Sequence, residues 1–184
     1  MTRFTVTSCF LVLSLLSVHA HAADEICGTP HGGQFAAETL CATHLLMPDG
    51  SKAGAALLDA IPDQYPWIIR QEDLTTAPSL LIKVDPADAA FASVSILNGY
   101  SPYDTTGAER TPFARYARAR DVLIETAAGH AIRQTLADNQ DLQTIALPGP
   151  EASGWVRLTV LSTYPGETEL VAVRWFSIAW EADM

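Results

Sequence analysis

The stretch Trp155-Val156-Arg157-Leu158-Thr159-Val160-Leu161 decides the fold class. Val156, Leu158 and Val160 alternate with Trp155, Arg157 and Thr159, so one face of an extended chain is aliphatic and the other carries polar groups. A sheet with one buried and one wet face needs that period of two. Working outward, similar runs occur at Leu80 to Val84, Ala92 to Leu97, Asp121 to Thr126, Ala131 to Leu136, Leu142 to Leu147 and Val171 to Trp180, and the central run extends over Val156 to Ser162. Turn signals separate them: Asp85-Pro86, Asn98-Gly99, Ala128-Gly129, Asp138-Asn139, Pro148-Gly149-Pro150 and Pro165-Gly166. Seven short strands with little helix between them predict an all-β chain, a β-sandwich or jelly roll. Most connections are too short for the crossovers of a parallel α/β sheet.

Before Pro78 the chain is rich in Ala, Leu and Thr, and the reading there is helical. Gln34 to Leu46 is expected to form a short helix with Phe35, Thr39, Leu40 and Thr43 on one side. Ser51 is expected to cap a second short helix through Leu58, ended by Pro62.

The first 22 residues have the pattern of a cleaved secretory signal: Arg3 in a short basic region, an apolar run from Phe4 to Val18, and small residues in Ala20-His21-Ala22. The apolar run is about fifteen residues, short of the roughly twenty a membrane span needs. Cleavage before Ala23 predicts a secreted or periplasmic domain of 162 residues without a membrane span. It removes one basic and no acidic residue, taking the formal charge from −10 to −11. A surface this acidic repels phosphate backbones, which excludes nucleic acid as the expected partner.

After cleavage two cysteines remain, Cys27 and Cys41, an even pair in an oxidising compartment. A disulfide is expected. The rival is zinc, since Cys27-x3-His31 and Cys41-x2-His44 supply two thiols and two imidazoles; the compartment favours the disulfide.

Four motifs in order carry a resemblance. They are Ile96-Leu97-Asn98-Gly99-Tyr100, Arg118 ahead of the strand at Val122, the strand from Asp141 to Pro148, and Val156-Arg157-Leu158-Thr159-Val160-Leu161-Ser162-Thr163-Tyr164-Pro165-Gly166. Asp59 to Trp67 adds a degraded version of a fifth. Together they resemble the NADase-type glycan-binding domain, a branch of the discoidin, or galactose-binding-like, jelly rolls, over residues 45–184. The domain reading is therefore a signal over 1–22, an N-terminal segment over 23–44 carrying the cysteines, and the discoidin-like domain beyond. Three departures stand out: Ala60 follows Asp59 in place of Gly, Tyr116 replaces an Asn, and Val171-Ala172-Val173 replaces polar residues.

The resemblance implies non-catalytic binding of a glycan. Sugars need flat apolar faces for C–H groups and fixed polar partners for hydroxyls. Asn98, Tyr100, Tyr103, Tyr116 and Arg118 are the expected glycan-binding residues, with Phe113, Asp104 and Arg115 near them. Each also has a structural reading: Asn98-Gly99 as a turn, Tyr100 as a core cap, and Arg118 as an ion-pair partner of Asp121 or Glu125. The alternative function is an envelope protein–protein module on the same fold that has lost the sugar site, which the three departures favour. No cofactor is expected beyond a weak case for structural calcium at Asp59 and Asp63, since calcium takes about six to eight oxygens. No Gly-x-Ser-x-Gly, His-Glu-x-x-His or phosphate loop is present, and no enzyme activity is expected.

Overall fold

The computed structural model describes residues 25–29, 39–55, 57–58, 65–84, 91–100, 113–151 and 154–180. The expected signal segment, the aspartates Asp59 and Asp63, His31, Tyr103 and Asp104 lie outside them.

The chain is all-β, built as a two-sheet jelly roll. The first sheet contains β1 (Ile26–Gly28), β2 (Thr39–Ala42), β4 (Ser79–Val84), β7 (Asp121–Thr126), β8 (Ala131–Thr135) and β10 (Gly154–Val160), in the spatial order β1-β2-β4-β10-β7-β8. The second contains β3 (Trp67–Arg70), β5 (Phe91–Asn98), β6 (Ala117–Ala119), β9 (Leu142–Glu151), β11 (Thr163–Tyr164) and β12 (Leu170–Trp180), ordered β11-β6-β12-β5-β9 with β3 also paired to β12. Pairing is antiparallel except between β12 and β6.

The period of two in β10 does what its sequence predicts. Leu158 is opposite Leu80 on one side and Ile124 on the other, and Val156, Leu158 and Val160 are fully buried. Those side chains meet Val94, Ile96, Phe176 and Ile178 of the second sheet in one core. Each such aliphatic residue contributes about 1.5–3 kcal/mol on leaving water. Thr159, expected on the wet face, is buried together with its neighbour Ser79, so that face is not uniformly exposed.

Two expectations fail in the N-terminal half. Thr39 to Ala42 form a strand, not part of a helix, because Leu40 and Ala42 pair with Ile82 and Leu80 of β4 and complete an inner row; residues 34–38 are outside the described set. Ser51 caps no helix: its backbone N–H and hydroxyl both donate to the Asp49 carboxylate. In the described part of that segment only Leu57 and Leu58 are helical. A third difference concerns Pro148-Gly149-Pro150. It lies within β9 rather than ending it, and the register with β5 slips there, from Ser93 opposite Ala146 to Phe91 opposite Glu151. The strand bulges around residues that cannot all join the ladder.

Cys27 and Cys41 sit opposite each other in the β1–β2 pair and are joined by a disulfide. The zinc reading is thereby overturned, since both sulfurs are oxidised and His44 is engaged elsewhere. A link across 14 residues stabilises by about 3 kcal/mol if chain entropy dominates.

Candidate functional site

The motif residues meet where β5 ends and β6 begins. β5 runs beside the second half of β12, and β6 pairs with Val171 and Ala172 at its start. The chain must therefore be sealed where β5 stops and β6 takes over. Asn98 does this: its side-chain nitrogen donates to the carbonyl of Ala119 at 2.6 Å, and its Oδ1 accepts from the N–H groups of Ala119 and Gly99, both at 3.0 Å. One amide replaces the missing ladder bonds, and at 2 % exposure it faces no solvent. Gly99 follows with φ +73, and a Cβ there would overlap the Phe113 ring, so both backbone and space demand glycine.

Arg118 holds the other side of the same seam. Its Nε and Nη2 donate bidentately to Asp138 at 2.8 and 2.7 Å. Nη1 donates to the carbonyls of Tyr116 and Pro165 at 3.0 and 2.7 Å. Four of the five guanidinium N–H groups are thus used within the protein, and the plane lies 5.1 Å from the Phe113 ring centroid. The sequence offered Asp121 and Glu125 as partners; the structure uses Asp138. Pro165 is brought to Arg118 because Gly166 lies against the backbone of Tyr116 and Ala117, where no Cβ fits.

Tyr116 is buried, with its hydroxyl donating to the Pro48 carbonyl at 3.2 Å. Its ring joins Leu46, Ile68 and Ala172 in a small second cluster. That cluster explains Val171-Ala172-Val173: Val171 and Val173 face the main core, while Ala172 faces this satellite, so all three are apolar. Tyr100 is half-buried, its ring centroid 5.9 Å from that of Tyr116 and tilted by 58°. Among the expected site residues that are described, Asn98, Tyr116 and Arg118 are brought together as buried scaffolding, and Tyr100 alone of them presents surface.

A second region went unread in the sequence. A cavity of about 330 Å³ lies between the loop after β2 and the 3-10 helix Gln71–Thr76, beside β1. Leu45, Leu46 and Ala53 supply its apolar lining; His44, Lys52, Arg70, Glu72 and Asp73 supply its polar one. His44 has a left-handed backbone (φ +56), as does Ala77 (φ +53) at the far end of the helix. Non-glycine residues in this region cost free energy and concentrate at functional sites. The strain at His44 is held in place by its carbonyl, which accepts the indole N–H of buried Trp67 at 3.0 Å, and by Thr43, whose hydroxyl accepts from Ser79 N–H at 2.8 Å.

The His44 ring is fixed from both ends. The Thr76 hydroxyl donates to the Asp73 carbonyl at 2.7 Å, and its oxygen lies 2.9 Å from His44 Nε2. Nδ1 lies 3.4 Å from Asp73 Oδ1. Asp73 Oδ2 accepts the Arg70 N–H at 2.8 Å. Arg70 donates to the Gly50 carbonyl at 3.0 Å and lies 4.0 Å from Glu72. The only sequence signal was Cys41-x2-His44, and it pointed to metal. Residues 44, 52, 70 and 73 are too far apart in the chain for a spacing pattern.

Two further features bear on chemistry. On the outer face of the first sheet, Arg157 lies over the Trp155 ring at 5.2 Å and within 3.9 Å of Glu25, which also meets Lys83 at 3.5 Å. Glu25 and the two cysteines form the sole His/Cys/Asp/Glu cluster of metal-site size among the described residues, and its sulfurs are committed to each other. The Asp121 carboxyl is held below its ordinary range by hydrogen bonds from the Ser162 and Thr135 hydroxyls. No described helix is long and apolar enough to cross a membrane.

No protein-family model matches the chain, and no curated protein does. Four chains of solved structure match. One is a family 32 carbohydrate-binding module from C. perfringens NanJ, in complex with galactose; the TM-score is 0.49 at 14 % identity, over 84 % of this chain and 98 % of that one.

Proposed function

We propose that the chain is an exported, non-catalytic carbohydrate-binding module whose sugar surface is centred on Tyr100. The observation that carries this reading is the placement of Tyr100. Its half-exposed ring leans on Tyr116, which is itself anchored to Pro48, at the point where β5 ends in the sealed seam. An aromatic face held rigidly at low entropic cost is what a weak sugar ligand needs. Asn98, Tyr116 and Arg118 serve this surface by positioning it. The even cysteine pair, now bridged, supports an oxidising compartment.

The test is a glycan array with residues 23–184, followed by titration of Tyr100→Ala with any hit. Single-site sugar affinity near a millimolar Kd is expected, about −4 kcal/mol, and Tyr100→Ala should abolish measurable binding while leaving the fold intact. Wild-type binding by a folded Tyr100→Ala protein places the sugar elsewhere.

The second reading is a protein–protein module of the envelope. It is favoured by the burial of Asn98 and Arg118, whose polar groups are spent inside the chain. A blank glycan array with retained capture of a specific envelope protein selects it.

A further inference from the structure

We propose that the cavity beside His44 is a second ligand site, separate from the Tyr100 surface, and that it takes a small hydroxylated carboxylate of the sugar-acid type.

The chain is strongly acidic, with 21 Asp and Glu against 11 Lys and Arg, yet two cations, Lys52 and Arg70, line this cavity, with His44, Glu72 and Asp73 beside them. Lys52 is exposed. Arg70 has Nη2 fixed to the Gly50 carbonyl and Nε only loosely opposed by Glu72 at 4.0 Å. Glu72 is 78 % exposed at its side chain and is free to swing outward. A ligand carboxylate arriving between Lys52 and Arg70 takes the place Glu72 occupies, and a planar fork accepts a carboxylate better than a point charge does. Anions without hydroxyls leave the rest of the rim unused. Asp73, fixed by Arg70 N–H and His44, keeps acceptor lone pairs that suit hydroxyl donors. Leu45, Leu46 and Ala53 offer an apolar wall to a C–H face. At about 330 Å³ the cavity stands at the small end of ligand sites, which run from about 300 to 1,000 Å³. One sugar-sized molecule fits that range.

The left-handed conformation of His44 is the second sign of a built site. A non-glycine residue is kept there by the Trp67 and Asp73 contacts rather than by its own preference. That arrangement holds the imidazole at the rim.

The test uses residues 23–184, isotopically labelled, titrated with galacturonate and in parallel with methyl galactoside. Galacturonate is expected to shift the amides of Leu45, Lys52, Ala53 and Asp73. Lys52→Ala, a change at an exposed position, should weaken it by about tenfold, the scale of one charged hydrogen bond. Glu72→Gln should tighten it by releasing Arg70. Three results overturn the proposal: no shift of these amides, equal shifts with methyl galactoside, or an unchanged affinity in Lys52→Ala. Shifts confined to Tyr100 and its neighbours also overturn it while supporting the Tyr100 surface. The two readings thus fail separately.

Discussion

The seam at Asn98 and Arg118 and the cavity at His44 both gather polar side chains on strand ends, and they use them in opposite ways. At the seam, Asn98 satisfies three backbone or neighbouring groups and Arg118 four, with both residues buried to 6 % exposure or less. What is left over is one Arg118 guanidinium N–H and one Asn98 amide N–H, both on side chains that are almost wholly buried. At the cavity the groups are half-exposed, the ion pair of Arg70 is loose, and Lys52 faces water. Polar residues that close their accounts internally make scaffold; those that keep donors and acceptors at the edge of a cavity can bind. A motif's polar residues are therefore a guide to position before they are a guide to ligand contact.

The largest expected effect separates the two regions by stability. Arg118→Met removes the donors from the Tyr116 and Pro165 carbonyls and leaves Asp138 unpaired. The expected loss is about 2–4 kcal/mol, reduced from that of a fully buried pair because Asp138 is a third exposed. Urea unfolding measures it directly. A loss under about 0.5 kcal/mol removes the scaffold role and restores Arg118 as a candidate for ligand contact.

At the cavity rim the corresponding change is mild. Thr76→Val deletes the hydroxyl between His44 and the Asp73 carbonyl at an exposed position. It should cost under about 1 kcal/mol by the same unfolding measurement. A loss as large as that of Arg118→Met means the rim too is scaffold, and the contrast collapses.

The smallest effect is in the acid limb. The folded chain favours the Asp121 carboxylate through Ser162 and Thr135, so its pKa is lower folded than unfolded. The resulting stability is complete above the ordinary value of 3.8 and disappears as pH falls through the folded value. Asp121→Asn should flatten the fall in stability below about pH 4, seen in thermal melts from pH 2 to 6. An unchanged slope shows that other carboxylates govern acid unfolding.

The contrast also explains what was legible in advance. Strand positions from Ser79 onward follow from alternation, and six of the seven expected strands lie within about two residues of the observed ones; β9 runs further, through the Pro-Gly-Pro bulge. The short strands β3, β6 and β11 were missed because two to four residues cannot show a period. β2 was missed because Leu40, Cys41 and Ala42 are all buried, which erases alternation. Asn98 and Arg118 stand in motifs and carry a real structural demand, Tyr116 stands where its motif has Asn, and Lys52, Arg70 and Asp73 carry no motif at all.

What the sequence determined by itself is the set of local demands: which residues must alternate, where glycine is needed, and that Cys27 and Cys41 form an even pair. These depend on neighbours within a few positions, where chain geometry is fixed by φ and ψ alone. Only the tertiary structure decided that Arg118 closes on Asp138 rather than Asp121. It alone decided that Ala172 needs a second apolar cover, and that His44, Arg70 and Asp73 meet at one cavity. Those pairings are set by which strands lie side by side, and many pairings of short strands satisfy the same local pattern until the core is packed.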